Sequence, residues 1–328
     1  MVSNKLAFVK QYGIIAVLGA LIIFFSMTTD SFLRTENLWN VTRQIAMLGV
    51  SAVGMTCVII TAGIDLSVGS VMSLTNIFCA SLMVKLGFDP LVAILLSLIL
   101  AVIIGLINGA IINEFNVPPL IATLGTMTSL RGFSYVLCGG MPVFGFPDRF
   151  RILGQGYFGP IPIPVIIMIC IFVLGWFFLN RTRYGRYIYG LGGNEEAARL
   201  SGINVKQIKY MAYMISGLLT GIASIIMLSR INTGQPKIGT GFEMEVITAV
   251  VLGGVSISGG QGKLTSVFIG VLIMGVLANG MILMNVSEYY QMVTRGMVLL
   301  AAVIFDNMSK RTGKSKININ SKVHSQSI

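Results

Sequence analysis

Residues 90–113 read PLVAILLSLILAVIIGLINGAIIN, a run of 24 residues without a charged side chain. A hydrocarbon core about 30 Å thick is crossed by roughly 20 helical residues. Proline is also well tolerated in the first turn of a helix, where its missing N–H costs nothing. This run therefore predicts a helix that begins near Pro90 and crosses a membrane.

Similar apolar stretches recur along the chain and predict an all-α, polytopic membrane protein with about ten transmembrane helices. The other nine cover residues 11–29, 44–64, 66–84, 120–139, 163–180, 210–229, 246–259, 264–283 and 289–305. The stretch at 246–259 is short and rich in glycine, so we expect it to be bent or re-entrant. We expect residues 1–306 to form the transmembrane domain and residues 307–328 a basic tail.

The composition of the 328-residue chain supports the same conclusion. Hydrophobic residues make up 55% and charged residues 11%, whereas soluble domains average about 25% charged residues. This excludes a soluble globular protein, a disordered chain and a nucleic-acid-binding module. The four cysteines form no CxxC motif and the only histidine, His324, lies in the polar tail. We therefore expect no disulfide framework, no metal site and no cofactor.

The positions of the charges predict the orientation. With the N-terminus inside, the inner segments contain about twice as many Lys and Arg residues as the outer segments, which is the asymmetry of cytoplasmic loops. Both termini are then cytoplasmic, and the basic tail is expected near anionic lipid. The first apolar stretch is too long for a signal peptide and lacks a small-residue cleavage site, so we expect it to be retained.

The polar segment around residues 180–209 contains one short predicted helix. Asn194 is a plausible N-cap, Glu195 and Glu196 occupy the first turn, and Gly202 can end the helix. Its apolar face consists of Ala197, Ala198 and Leu200. Such a helix is too small to bury itself, so two interpretations are open: docking into a groove of a partner protein, or resting on lipid.

Four stretches, in this order along the chain, resemble motifs of ribose-type carbohydrate ABC transporter permeases. They are GIDLSVGS at 63–70, GLING at 105–109 followed by VPPLIATLGT at 117–126, GNEEAARLSGI at 193–203 and GGVSISGGQG at 253–262. The resemblance covers roughly residues 40–306. It implies the ten-helix bundle of type II ABC importer permeases in a bacterial inner membrane. It also implies a second permease subunit, identical or related, separate ATPase subunits on the cytoplasmic side and an external solute-binding protein.

The resemblance also indicates functional residues. The stretch at 193–203 corresponds to the segment that couples the permease to the ATPases, with Asn194, Glu195, Glu196, Ala197, Ala198, Arg199, Ser201 and Gly202. A sugar path needs neutral hydrogen-bonding groups. The candidates within the spans are Asn76, Asn108, Thr123, Thr126, Ser129 and Asn279. Each could equally bond a neighbouring helix.

The chain itself is not expected to be an enzyme. ISGGQ at 257–261 imitates the signature sequence of ABC ATPases, but no GxxxxGK[ST] phosphate loop is present. This glycine-rich stretch could be an inner turn that meets a partner, or a hinge without such contact. ATP hydrolysis is therefore expected on the partner subunits.

Three charged residues lie within or at the edge of predicted spans. Asp65 could relay protons, but a cap on the helix that starts near Ser67 is the favoured interpretation. Arg131 could pair within the bundle or line a water-filled path, and Arg295 could pair with Glu288.

The longest outer segment, residues 139–162, could dock the binding protein or form a lid over the bundle. Three alternatives to a sugar permease remain: an ion-coupled secondary transporter, a membrane-embedded enzyme, and a permease for another small solute such as an amino acid or a nucleoside. The first needs paired intramembrane carboxylates or discontinuous-helix ion sites, and the second needs a nucleophile and a base.

Overall fold

A computed structural model describes residues 2–325 of the chain, with side chains for residues 13–308. The side chains of the predicted tail beyond residue 308, including His324, lie outside the described residues, as do those of Lys5 and Lys10. The described chain is almost entirely helical. Its first five helices are α1 (Val2–Thr28), α2 (Thr35–Ile60), α3 (Val68–Val84), α4 (Pro90–Glu114) and α5 (Pro119–Cys138).

Local sequence signals explain several of these boundaries. The side chain of Asp89 accepts a hydrogen bond from the backbone N–H of Leu91 at 2.9 Å, which caps α4 immediately before Pro90. Pro119 begins α5, and Gly139 ends it with a φ of 65° that most residues avoid. The helix predicted from the opening run is therefore confirmed.

The second half of the chain contains the shorter elements. They are α6 (Asp148–Gln155), strands β1 (Tyr157–Phe158) and β2 (Ile161–Pro162), α7 (Ile163–Arg181), α8 (Arg183–Gly193), α9 (Glu195–Leu200), α10 (Val205–Ile231), α11 (Phe242–Leu252), α12 (Leu264–Leu283) and α13 (Glu288–Ser325). β1 and β2 form a two-stranded antiparallel hairpin in which Tyr157 lies opposite Pro162. The predicted outer segment is thus folded, with α6 and this hairpin at its centre.

Each predicted apolar stretch overlaps a helix, and five of the described helices are long and apolar enough to cross a membrane. These five are α2, α4, α7, α10 and α12. The helices differ in their ends from the predicted stretches, and two of these differences shorten a predicted span. α2 ends at Ile60, before the predicted limit at residue 64, and α11 has only 11 residues. At 1.5 Å per residue α11 is about 16 Å long, which is too short to cross by itself.

α10 lies at the centre of the bundle and packs against α2, α3 and α4. Two glycine pairs allow the close contact between α4 and α10. A Cβ atom on Gly105 would overlap the carbonyl oxygen of Tyr213, and one on Gly217 would overlap that of Ala101. The small-xxx-small pairs Gly105–Gly109 and Gly217–Gly221 thus let the two helices approach closely.

The periphery of the bundle is apolar. α4 and α7 expose large aliphatic and aromatic side chains, among them Leu91, Ile99, Val173 and Phe177. The second half of α2, by contrast, is buried on all sides. Exposed apolar side chains of this density are typical of helices that face lipid, so the chain is a multi-pass membrane protein.

Candidate functional site

α9 forms where the sequence predicts the coupling helix. The Asn194 side chain accepts a hydrogen bond from the N–H of Ala197 at 3.0 Å, and Glu195 and Glu196 lie in the first turn. Acidic groups at this position are stabilised by the helix dipole. Gly202 follows the helix with a φ of 80°. The predicted cap, first turn and end of this helix are confirmed.

α9 is fixed to the rest of the chain along one side only. Glu195 accepts hydrogen bonds from Lys209 Nζ of α10 at 3.0 and 2.9 Å, and Ala198 is buried. On the other side Ala197 is exposed and Leu200 is 82% exposed. The three residues predicted to form one apolar face are thus divided, because Ala198 packs against its own chain. Leu200 is the large apolar group that α9 presents outward.

The remaining residues of the predicted coupling segment surround this helix. Arg199 forms exposed ion pairs with Glu195 and Glu196, at 3.5 and 3.8 Å. Ser201 donates a hydrogen bond to the Ala197 carbonyl oxygen at 2.8 Å. These exposed pairs contribute little to stability, so they leave the charged side chains of α9 free to exchange partners.

The end of the bundle that carries α9, here called the α9 end, also contains the last turn of α4 and the first turn of α10. Lys206 Nζ lies 2.7 Å from a carboxylate oxygen of Glu114, and Asn113 Nδ2 donates to the Lys206 carbonyl oxygen at 3.0 Å. A groove lined by Asn113, Asn116, Arg199 and residues 203–206 runs beside α9. The α9 end therefore presents a charged surface with a groove.

The glycine-rich loop at 253–263 lies at the same end of the bundle. The Gly260 N–H donates to the carbonyl oxygen of Ile60 at 2.8 Å, and the Tyr189 hydroxyl donates to the carbonyl oxygen of Gly262 at 2.9 Å. Burial raises the pKa of the Tyr189 phenol above its ordinary value, so this side chain remains a neutral donor. The loop is tied to α2 and α8 within the chain.

Asp65 lies in the non-helical segment between α2 and α3. Its Oδ1 accepts hydrogen bonds from the N–H and hydroxyl of Ser67, at 3.0 and 2.6 Å, and its Oδ2 accepts one from the Ser216 hydroxyl at 2.9 Å. Ser67 also accepts a bond from Asn108 Nδ2 at 2.9 Å. The carboxylate therefore stabilises the start of α3, as predicted, and also joins this segment to α4 and α10.

A second break, residues 232–241, separates α10 from the short α11. Asn76 Oδ1 accepts a hydrogen bond from the N–H of Gln235 at 3.1 Å, and Ser73 Oγ donates to the carbonyl oxygen of Pro236 at 2.6 Å. Gly234 pairs with Val143 through two backbone hydrogen bonds of 2.8 Å. Backbone that is not helical needs such internal partners inside a membrane.

Arg131 of α5 binds this second break directly. Its guanidinium donates to the Ile238 carbonyl oxygen at 3.2 Å, to Thr240 Oγ1 at 2.9 Å and to the Gly239 carbonyl oxygen at 3.3 Å. The side chain therefore faces the bundle. A planar guanidinium suits several acceptors on one turn of backbone.

Arg295 makes an ion pair with Glu245 of α11. The sequence suggested Glu288 as its partner, because that residue is near it in the chain. Folding instead places α13 along α11, where a carboxylate half-buried in the bundle meets the guanidinium. Arg295 thus joins these two helices.

The predicted path residues are dispersed. Asn76, Asn108 and Thr123 are buried and bonded within the chain, and Asn279 exchanges two hydrogen bonds with Asn37, at 2.9 and 3.0 Å. Thr126 is half-buried and Ser129 is exposed on α5. Within the described chain, these six residues therefore do not converge on one cavity.

One face of α5 is not covered by other helices of the described chain. Of the predicted path residues, Ser129 is exposed on it. Added Cβ atoms on Gly125 and Gly132 would meet nothing within 4 Å, and Thr128 is exposed between them, beside Ser129. The helix packs mainly on α3. The small and polar residues recur at spacings of three and four, which is a helical period. That spacing was the sequence signal for this face.

A cavity of about 210 Å³ lies between α2, α10, α11 and α12. Its polar lining groups are Gln44, Arg230, Thr240 and Glu245, and four methionines contribute much of its apolar wall. It adjoins the second break, where Thr240 also receives the hydrogen bond from Arg131.

Comparisons with known proteins agree with these features. The family described as branched-chain amino acid transport system / permease component matches residues 37–303. Ribose import permease protein RbsC of Bacillus subtilis is 44% identical over 299 residues, which is 90% of this chain and 92% of that protein. The Escherichia coli K12 protein of the same name is 44% identical over 308 residues, covering 93% and 95%. The D-allose transport system permease protein AlsC of that strain is 36% identical, covering 93% and 94%.

The search of solved structures gave no significant match. The family match covers more than half of the chain, and the relatives align over nine tenths of it. The bundle, the broken helices and the capped α9 all lie within the matched region. The chain therefore belongs to the family of branched-chain amino acid transport system permease components and is a transport permease of the ribose-type group within it.

Proposed function

We propose that this chain is the membrane-spanning subunit of an ATP-driven ABC importer for a simple sugar such as ribose. The observation that carries the proposal is α9, a capped helix fixed on one side and open on the other. Separate ATPase subunits would bind at the α9 end, and their closure on ATP would push α9. The bundle would then alternate between outward-open and inward-open states. The chain itself performs no covalent chemistry in this scheme.

The orientation follows from charge. Arg181, Arg183, Arg186, Arg199, Lys206 and Lys209 cluster around α8 and α9. Basic residues of this density favour the cytoplasmic side, so the α9 end would face the cytoplasm of a bacterium and the protein would lie in its inner membrane. Both termini would be cytoplasmic, and the tail of residues 307–328 would follow the transmembrane domain of residues 1–306 along the anionic lipid surface.

The uncovered face of α5 supports a second permease subunit. It offers small and hydroxyl-bearing groups, beside exposed apolar side chains such as Leu124 and Phe133, on a helix that its own protomer covers on one side only. A sugar path between two such faces would provide neutral hydrogen-bonding groups and room at the glycines. Ser129 and Thr126 remain the path candidates best placed for this role. The partner would be an identical copy or a related chain.

The opposite end of the bundle would receive the external solute-binding protein. α6 is held against α10 because the Ser229 hydroxyl donates to the Phe150 carbonyl oxygen at 2.6 Å and accepts from the Gly154 N–H at 2.7 Å. Exposed Asp148, Arg149 and Arg151 project from this folded segment. Such charges steer association between proteins, which favours a docking role over that of a simple lid.

The proposed test is uptake of radiolabelled ribose into proteoliposomes that contain the permease, its ATPase subunit and its binding protein. We expect uptake that requires ATP and all three components. A second arm contains the permease alone under proton and sodium gradients. Uptake in that arm would overturn the proposal in favour of an ion-coupled transporter. No uptake of ribose by the complete system, together with ATP-dependent uptake of a labelled amino acid or nucleoside, would reassign the solute.

A further inference from the structure

Three backbone segments meet at the α9 end without side chains between them. They are the end of α8 at Gly192, the end of α2 at Ile60, and Gly260 of the glycine-rich loop. The N–H of Gly260 donates to the carbonyl oxygen of Ile60 at 2.8 Å. A Cβ atom on Gly192 would overlap that same carbonyl oxygen and would lie 2.5 Å from the nitrogen of Gly260. We call this contact of Gly192, Ile60 and Gly260 the glycine joint.

On the loop side of the glycine joint, Gly259 and Gly260 also leave no room for a side chain. An added Cβ on Gly259 would lie 2.8 Å from the carbonyl oxygen of Gly192 and 2.8 Å from the nitrogen of Ala62. Gly259 and Gly260 also have positive φ values, 80° and 70°, which L side chains rarely adopt. Backbone packed on backbone has no side chain that can change rotamer, so a displacement of one segment moves the others.

Tyr189 supplies a second tie between α8 and the same loop. Its hydroxyl donates to the carbonyl oxygen of Gly262 at 2.9 Å. Ile188 and Leu191 of α8 are buried in the main core cluster together with Ile60 and Val255. α8 is therefore attached to the loop by a hydrogen bond, by the glycine joint and by apolar packing.

The glycine joint is connected along the chain to both non-helical segments, residues 61–67 and residues 232–241. α2 continues beyond Ile60 into the segment that contains Asp65, and the loop continues backwards into α11, which follows the second break. α9 is also linked to the rest of the chain by the buried Ala198 and by the partly exposed Glu195–Lys209 pair. Exposed ion pairs contribute about 0–1 kcal/mol to stability. When α9 is displaced, this ion pair therefore breaks more easily than the backbone contact of the glycine joint.

We propose that the glycine joint transmits the displacement of α8 and α9 to the two non-helical segments, residues 61–67 and residues 232–241. Gly192 and Tyr189 would then be positioning residues for transport. This inference rests on the proposed function. A joint of this kind affects how much transport each ATP hydrolysis produces, because it acts after the ATPase has bound.

The test compares Gly192→Ala with Gly190→Ala in proteoliposomes with the ATPase and the binding protein. An added methyl group on Gly192 must separate α8 from α2, whereas a Cβ on Gly190 of the same helix makes only an ordinary contact, 3.8 Å from Ile203 Cδ1. We expect Gly192→Ala to reduce ribose uptake roughly tenfold, with ATPase copurification and ATP hydrolysis close to wild type. The ratio of ATP hydrolysed to ribose transported should rise, and Gly190→Ala should keep the wild-type ratio.

An unchanged ratio in Gly192→Ala, or an equal loss in both variants, would overturn the inference. If Gly192→Ala does not fold, Tyr189→Phe decides, because it removes one hydroxyl and keeps the ring. We expect a smaller rise in the same ratio, and a wild-type ratio in Tyr189→Phe would then count against the joint. Failure of the wild-type permease to associate with the ATPase would instead refute the proposed function.

Discussion

Asp65 Oδ2 accepts a hydrogen bond from Ser216 Oγ at 2.9 Å, which joins the segment after α2 to the middle of α10. The two residues are 151 positions apart in the chain. The other carboxylate oxygen holds Ser67 at the start of α3. One buried side chain thus fixes a break in the backbone relative to the central helix.

Replacement of Asp65 by alanine should destabilise the protein strongly. The change leaves the Ser67 N–H and two hydroxyls without their acceptor, and each buried unpaired polar group costs about 1–3 kcal/mol. Ser216→Ala removes one of the three hydrogen bonds and should cost about 1 kcal/mol. Thermal unfolding of the purified permease in detergent would measure both. Equal and small losses in the two variants would show that the carboxylate does not fix the break.

Arg131→Met should reduce transport more than it reduces stability. Without the guanidinium, the carbonyl oxygens of Ile238 and Gly239 lose their donors, and the second break is no longer anchored to α5. We expect about a tenfold loss of uptake, with normal insertion and ATPase association. Protease sensitivity of residues 232–241 should increase.

Arg131→Lys is the matched variant for this prediction. A lysine keeps the charge, but its compact ammonium group cannot span the three acceptors that the planar guanidinium binds at once. Its uptake should fall between wild type and Arg131→Met. A lysine variant as impaired as the methionine variant would support the geometric role, and one with full uptake would indicate that charge alone matters.

Leu200 should contribute strongly to ATPase binding. It is the large apolar side chain on the outward side of α9, and the few residues that anchor an interface each contribute about 2 kcal/mol or more. Leu200→Asp should therefore weaken copurification of the ATPase about 30-fold or more, while Leu200→Met should remain near wild type. Both variants should insert normally, because residue 200 packs little against its own chain. Equal copurification by Asp and Met variants would contradict an apolar contact.

Glu196 and Ala198 both belong to the predicted coupling segment, but the structure gives them different surroundings. A charged residue at position 196 changes an exposed site, so Glu196→Arg tests the partner surface. A charged residue at position 198 would have to displace the packing of α9 on its own chain, because Ala198 is buried. Loss of coupling in an Ala198 variant is therefore expected to include disruption of α9 itself.

Local patterns predicted the helices well because length, hydropathy and caps act within a few residues. The opening run at 90–113 and the Asn194 cap both have local causes. The breaks after Ile60 and Ile231 depend on partners far away in the chain, such as Ser216 for Asp65 and Arg131 for residues 238–240. No local pattern specifies such pairs, and Arg295 was for the same reason matched with Glu288 rather than Glu245.

The path candidates illustrate the same limit. Polar residues inside a span are equally suited to a path and to a neighbouring helix, and only the packing decides. Asn108 and Asn279 bond other helices, whereas Ser129 remains exposed on α5.

Ser129 should be accessible from water if the uncovered face of α5 lines the path. The test is Ser129→Cys, labelled in membrane vesicles with a water-soluble maleimide. Cys57, Cys79 and Cys138 are buried and Cys170 is exposed on the apolar helix α7, so Cys170→Ser gives a suitable background. We expect rapid labelling of Cys at position 129 and loss of uptake after labelling.

Ser134→Cys provides the control, since Ser134 lies on the buried side of the same helix. It should react slowly and keep its uptake after exposure to the reagent. Excess ribose with the binding protein should slow the labelling at position 129, because an occupied path excludes the reagent. If position 129 reacts no faster than position 134, the α5 face is covered by lipid or by a partner helix, and the sugar path lies elsewhere.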